Sequence, residues 1–93
     1  NNGSWYYYRG IYFYKQEDYV DAKGQFQYAL ELDSSLVEPH YYLGKIYLVE
    51  GDNSAAIQEF ELYLKNSDQS GRVKEINSIL QSLKSTSELP AEL

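Results

Sequence analysis

Apolar residues recur along this chain at helical spacing and give way to polar turns often enough to predict five helices. From Ser4 to Gln16 the only breaker is Gly10, and Glu17-Asp18 makes a turn. A second helix is predicted from Tyr19 or Val20 to Leu32, ended by Asp33-Ser34-Ser35. The third opens around Pro39, which fits a first helical turn because its missing N–H would have no intrahelical partner there. Gly51-Asp52-Asn53-Ser54 is a turn with Asn53 or Ser54 as the expected N-cap. Ile57, Phe60 and Leu64 mark a fourth helix, closed by the segment from Asn66 to Gly71. A fifth runs from Arg72 to Lys84 with Val73, Ile76, Ile79, Leu80 and Leu83 as its apolar positions. Residues 85–93 read as a polar, frayed tail.

The pattern is also periodic over a longer distance. The shift that lays Tyr7 on Tyr41 also pairs Tyr8 with Tyr42, Gly10 with Gly44, Asp18 with Asp52, Ala22 with Ala56, Phe26 with Phe60 and Leu30 with Leu64, without a gap. Gly10 and Gly44 lie mid-helix, where glycine costs about 1 kcal/mol relative to alanine. With Ala22 and Ala56 on the partner helices, they are expected to let paired backbones approach closely, Phe26 and Phe60 filling the wider end of each wedge.

The unit from Trp5 to Leu36 resembles the tetratricopeptide repeat. The likeness rests on the stretch from Tyr12 to Tyr19, on Tyr28-Ala29-Leu30-Glu31-Leu32-Asp33, and in the second unit on Tyr41-Tyr42-Leu43-Gly44, Tyr47, Gly51-Asp52, Ala56-Ile57 and Phe60. The two units cover about 70 of the 93 residues. Departures are Tyr6 and His40 where tryptophan is common, Ser34 and Asp68 in place of the closing proline, and Tyr63 in place of a small alanine. The resemblance implies an all-α, right-handed superhelical array of antiparallel helix pairs. Repeat one then spans 3–36, repeat two 37–70 and a capping helix 71–84, with residues 1–3 as a linker or extraneous segment.

In such an array each repeat packs on the next, so the two ends need different surfaces. Carrying the register one repeat forward from Pro39, Tyr42 and Ile46 gives Val73, Ile76 and Leu80, an apolar stripe facing back along the array. The positions equivalent to His40, Gly44 and Tyr47 are Lys74, Ser78 and Gln81, polar as expected of a last helix. Carrying the register backward gives Trp5, Tyr8 and Tyr12, an aromatic stripe with no preceding repeat to cover it. The sequence therefore predicts an association edge, covered by upstream helices or by a second copy as a homodimer. The opening Asn1 in place of methionine agrees with a piece of a longer chain.

First helices line the concave side in this family. There, Tyr7, Ile11, Tyr14 and Lys15 share one helical face, and their equivalents are Tyr41, Lys45, Leu48 and Val49. These eight are the expected partner-binding groove. It is aromatic and aliphatic with lysines at intervals, suited to a peptide carrying apolar anchors and some acidic side chains. The segments 4–16, 37–50 and 71–84 carry six basic and three acidic residues, a mildly positive lining within a chain of net charge −6. The carboxylate clamp of one subtype would fall on Tyr7, Ile11, Tyr42, Arg72 and Ile76, where only Arg72 is basic. A clamp of that kind is therefore not expected.

Composition trims the remaining options. Cysteine is absent and His40 is the single histidine, so thiolate metal sites and the common nucleophile–histidine pairs cannot assemble. An acidic balance argues against nucleic acid as a partner. No apolar run reaches the roughly 20 residues of a membrane span, so no membrane contact is expected from this segment. Glu17 and Asp18 read as solvated turn residues and His40 as a packing residue. No catalytic group, metal or cofactor is expected, and the module is read as a non-enzymatic partner for protein or peptide.

Overall fold

A computed structural model describes residues 2–67 and 70–88. Among them lie α1 (Asn2–Lys15), α2 (Tyr19–Leu32), α3 (Glu38–Glu50), α4 (Asn53–Asn66) and α5 (Ser70–Glu88). Each helix packs on the next in chain order. Short loops force this arrangement, because a few residues can only return the chain beside the helix it has just left.

The turn within each repeat is built the same way. Asp18 and Asp52, equivalent positions of the two repeats, cap α2 and α4 by accepting hydrogen bonds from the amides of Asp21 and Ala55 at 3.3 and 3.1 Å. Asp52 thus takes the role expected of Asn53 or Ser54, because its carboxylate reaches the third amide of the helix that starts behind it. The residue before each aspartate is left-handed, at φ 61° for Glu17 and 81° for Gly51. Glycine enters that region freely, whereas a side chain there costs roughly 1–2 kcal/mol. In α3, Pro39 stands in the first turn as the sequence predicts.

Each helix pair closes by setting a phenylalanine on a glycine. A Cβ at Gly10 would stand 2.6 Å from the Phe26 ring, and one at Gly44 only 2.5 Å from Phe60. The rings therefore lie across the glycines themselves, rather than filling a wider end of the wedge as the sequence suggested. Ala22, Phe26, Leu43 and Ile46 form one buried cluster, and Ala56, Phe60, Tyr63, Ile76 and Leu80 the other.

In α5, Ile76 and Leu80 are buried against the second cluster while Lys74, Ser78 and Gln81 face water. Two boundaries move. Asn2 and Gly3 belong to α1, with Gly3 buried, so they are part of the fold rather than a linker. Helix α5 continues past Lys84 to Glu88, because nothing from 85 to 88 breaks it. Asn1, Asp68 and the end of the expected tail at 89–93 lie outside the described residues. No described helix is long and apolar enough to cross a membrane.

Candidate binding groove

Helices α1, α3 and α5 bring together the residues expected to meet a partner, but as two unlike halves. Between α1 and α3 the side chains are rings. Tyr42 stacks on Phe26 at 5.3 Å with planes 10° apart, and Tyr7 and Tyr14 flank it at 6.2 and 5.1 Å. Tyr14 also meets Tyr19 of α2 edge-on at 5.5 Å. The tyrosines are half-buried against the fully buried Phe26, so part of each stays in contact with water. Burial pushes the Tyr7 phenol up to about 12, with Tyr42 nearby adding to the effect. Burial also raises Tyr14 and Tyr42.

Between α3 and α5 the lining is polar and closed on itself. The Tyr41 hydroxyl donates to Glu75 at 2.8 Å, and the Lys45 ammonium meets the same carboxylate at 2.7 Å. Arg72 is ion-paired with Glu38, which also accepts from the Tyr63 hydroxyl at 3.3 Å. The Arg72 guanidinium lies over the rings of Tyr41 and Tyr42 at 4.2 and 5.5 Å, and Lys45 over Tyr41 at 5.3 Å. Tyr41 is pushed up to about 12, first by burial and then by its bond to Glu75. Burial alone would raise the Glu75 carboxyl, but the bonds from Lys45 and Tyr41 outweigh it and hold the group below its ordinary value.

Of the expected groove residues, Tyr7, Tyr14 and Tyr41 are half-buried in ring contacts. Ile11 and Leu48 are likewise half-buried and pack against the first and second clusters respectively. Lys15 and Val49 are exposed. The positive lining is corrected: Lys45 and Arg72 are matched by Glu75 and Glu38, and of the surplus cations on these helices Arg9 lies over Trp5, Lys84 pairs with Glu61 and Lys74 is exposed on the outer side of α5, away from the groove. Sequence reasoning placed Tyr42 in the stacking stripe and did not assign Glu38, Glu75 or Tyr63 to this lining. The signal was present, since Glu38 with Arg72 and Tyr41 with Glu75 are each one repeat apart and so occupy the same register in successive helices. Arg72, the single basic clamp position, is paired, and Ile76 is buried.

Elsewhere the structure offers less. A shallow depression of about 420 Å³ is lined by Gln58, Glu61, Leu62 and Lys65, all on α4. His40 packs half-buried with its Nδ1 2.7 Å from Glu59. Among the described residues no three of His, Cys, Asp and Glu stand together as a metal site.

No protein-family model matches the chain. A stretch of 57 residues, 61% of the chain, is 37% identical to Tetratricopeptide repeat protein 14 of Mus musculus. That match joins an ungapped repeat register, repeated aspartate caps and paired phenylalanine-on-glycine contacts. The repeats resemble tetratricopeptide repeats. The aligned stretch spans 7% of the mouse protein's length. Helical repeats of this tetratricopeptide-like kind are generally protein-interaction modules.

Proposed function

We propose that this tetratricopeptide array binds a peptide segment of a partner protein along α1 and α3, with its apolar anchors on the ring-lined half of the groove. The observation that carries the reading is the Tyr7–Tyr14–Tyr42 cluster, packed on Phe26 and half-buried, so that part of each tyrosine remains accessible. Rings fixed before binding lose little freedom when a ligand arrives, and tyrosine combines apolar area with a hydroxyl at the rim. Lys15 stands exposed one residue beyond Tyr14 and suits an acidic side chain flanking the anchors. The ion-paired half contributes shape rather than charge, because its cations are already matched. No catalytic step is assigned to any residue.

The test is a peptide array or pull-down followed by Tyr14→Ala and Tyr41→Ala. Tyr14→Ala is expected to weaken captured partners about tenfold or more, the usual effect of truncating an aromatic anchor. Tyr41→Ala, in the ionic half, is expected to do less. Unchanged capture by Tyr14→Ala at unchanged helicity sinks the reading.

A further inference from the structure

The stripe of Trp5, Tyr8 and Tyr12 lies on a different face of α1 from the groove. The three are 54, 66 and 61% exposed, whereas their register equivalents Pro39 and Ile46 are buried and Tyr42 is half-buried. The difference is the neighbour: α3 has α2 stacked against this stripe. The exposed surface is also wider than the sequence predicts. Tyr6 bridges it edge-on, 4.8 Å from Trp5 and 4.6 Å from Tyr28 on α2, and both Tyr28 and Leu32 are 44% exposed. At the other side Tyr12 meets Phe13 at 5.3 Å, and the Arg9 guanidinium sits 5.0 Å over Trp5 and 5.9 Å over Phe13. One apolar patch thus runs from Tyr12 across α1 to Leu32.

We propose that this patch is the two-fold interface of a homodimer in which α1 packs against α1 of a second copy. Area is the first argument. At 150–250 Å² per aromatic ring, the exposed fractions of Trp5, Tyr8 and Tyr12 leave roughly 300–450 Å² in water. Tyr28, Leu32 and the partly covered Tyr6 and Phe13 bring this to roughly 500–700 Å² per copy, near the ~800 Å² that each partner gives to a standard interface.

The opposite end of the array supplies the second argument. Lys74, Ser78 and Gln81 on the outer side of α5 are polar and exposed. Head-to-tail stacking would press rings onto them and leave their polar groups without water. A two-fold arrangement instead sets the patch against itself, and it closes after two copies rather than growing into a filament. Charge does not oppose it, because α1 carries no acidic residue and Arg9 is already held over two rings.

Sedimentation or light scattering of the 93-residue chain, up to about 0.5 mM, tests this at the concentrations where a modest interface self-associates. A reversible dimer is expected. Tyr8→Glu should raise its dissociation constant about tenfold or more by placing two carboxylates in an apolar contact. Tyr8 is 66% exposed, so the substitution leaves the monomer's fold intact, which circular dichroism checks. Trp5→Ser/Tyr12→Ser is the second probe, and it too should yield a helical monomer. A wild type that stays monomeric overturns the proposal, as does a dimer that survives both variants or a mass that climbs without limit. Tyr14→Ala should leave the mass unchanged, so failure here is distinguishable from failure of the groove.

Discussion

Helix α3 is gripped from both sides, and the two grips are chemically different. Toward α1 and α2 it offers Tyr42, which stacks on Phe26 between Tyr7 and Tyr14. Toward α5 it offers Glu38 and Lys45, which pair with Arg72 and Glu75. The origin of the difference lies one helix away. Repeat one has the small Ala29 where repeat two has Tyr63, and both are fully buried. A buried phenol must satisfy its hydroxyl, and Glu38 accepts from it at 3.3 Å. Once a carboxylate is held half-buried there, a cation beside it is strongly favoured, and Arg72 supplies it. A departure from the family's usual alanine thus brings an acid and a base with it.

The comparison predicts unequal losses. Phe26→Ala removes the ring that lies on Gly10 and supports Tyr42, and should cost about 3–5 kcal/mol. For a domain of this size that lowers the melting temperature by at least about 12 °C. Because Phe26 serves α1, α2 and α3 together, hydrogen exchange should accelerate in all three. A loss below about 1 kcal/mol would show that the ring-built grip is not what joins the repeats.

Arg72→Ala attacks the other grip and should cost about 1–2 kcal/mol, since the pair is only half-buried and water partly replaces it. Faster exchange should be confined to α5 and its contacts, because Ile76 and Leu80 still anchor that helix from beneath. Raising salt to about 1 M should reproduce part of the Arg72→Ala effect in the wild type and leave the Phe26→Ala cost unchanged. Equal responses of both grips to salt would erase the distinction.

How much of this was legible in the sequence depends on the range of the interaction. Helices and their pairing follow from local spacing and the repeat register, because Gly10 with Phe26 and Gly44 with Phe60 must recur wherever the pair recurs. The N-cap was misplaced by one or two residues because Asp52, Asn53 and Ser54 all have capping side chains, and only backbone geometry selects among them. In the groove, helical angle placed Tyr7, Tyr14 and Tyr41 on one side, but angle does not report what a neighbouring helix brings. Counting charge along segments made the lining positive. Lys45 and Arg72 pair with Glu75 and Glu38, and the surplus comes from cations that face elsewhere, Arg9 over Trp5, Lys84 on Glu61 and Lys74 exposed on α5; a count by segment does not record facing.

The smallest expected effect is the pH response, in which Tyr7 and Glu75 act with opposite sign while Tyr41, in the ionic grip, shares the alkaline direction of Tyr7. Tyr7 ionises near 12 in the folded chain against about 10 when exposed, so the folded state holds the proton that the unfolded state loses between those values. Its contribution is complete below pH 10 and disappears as pH climbs toward 12. Glu75 is displaced the other way. The folded state keeps the carboxylate charged where the unfolded one takes up a proton, so its contribution is present above the ordinary glutamate value and is lost as pH falls through the lowered one. Both groups remain in contact with water, so each contribution is small beside the losses at Phe26 and Arg72. Tyr7→Phe should therefore remove its share of the alkaline limb of a stability–pH profile, which Tyr41 also feeds, and leave the acid limb alone, while Glu75→Gln should flatten the acid limb. Lys45 ties the ionic grip to high pH as well: burial alone would lower its pKa, but its contacts with Glu75 and Tyr41 raise it. Glu75→Gln should for that reason also trim the alkaline limb slightly, whereas an effect of Tyr7→Phe below pH 6 would contradict the assignment of the phenol to the ring-built side.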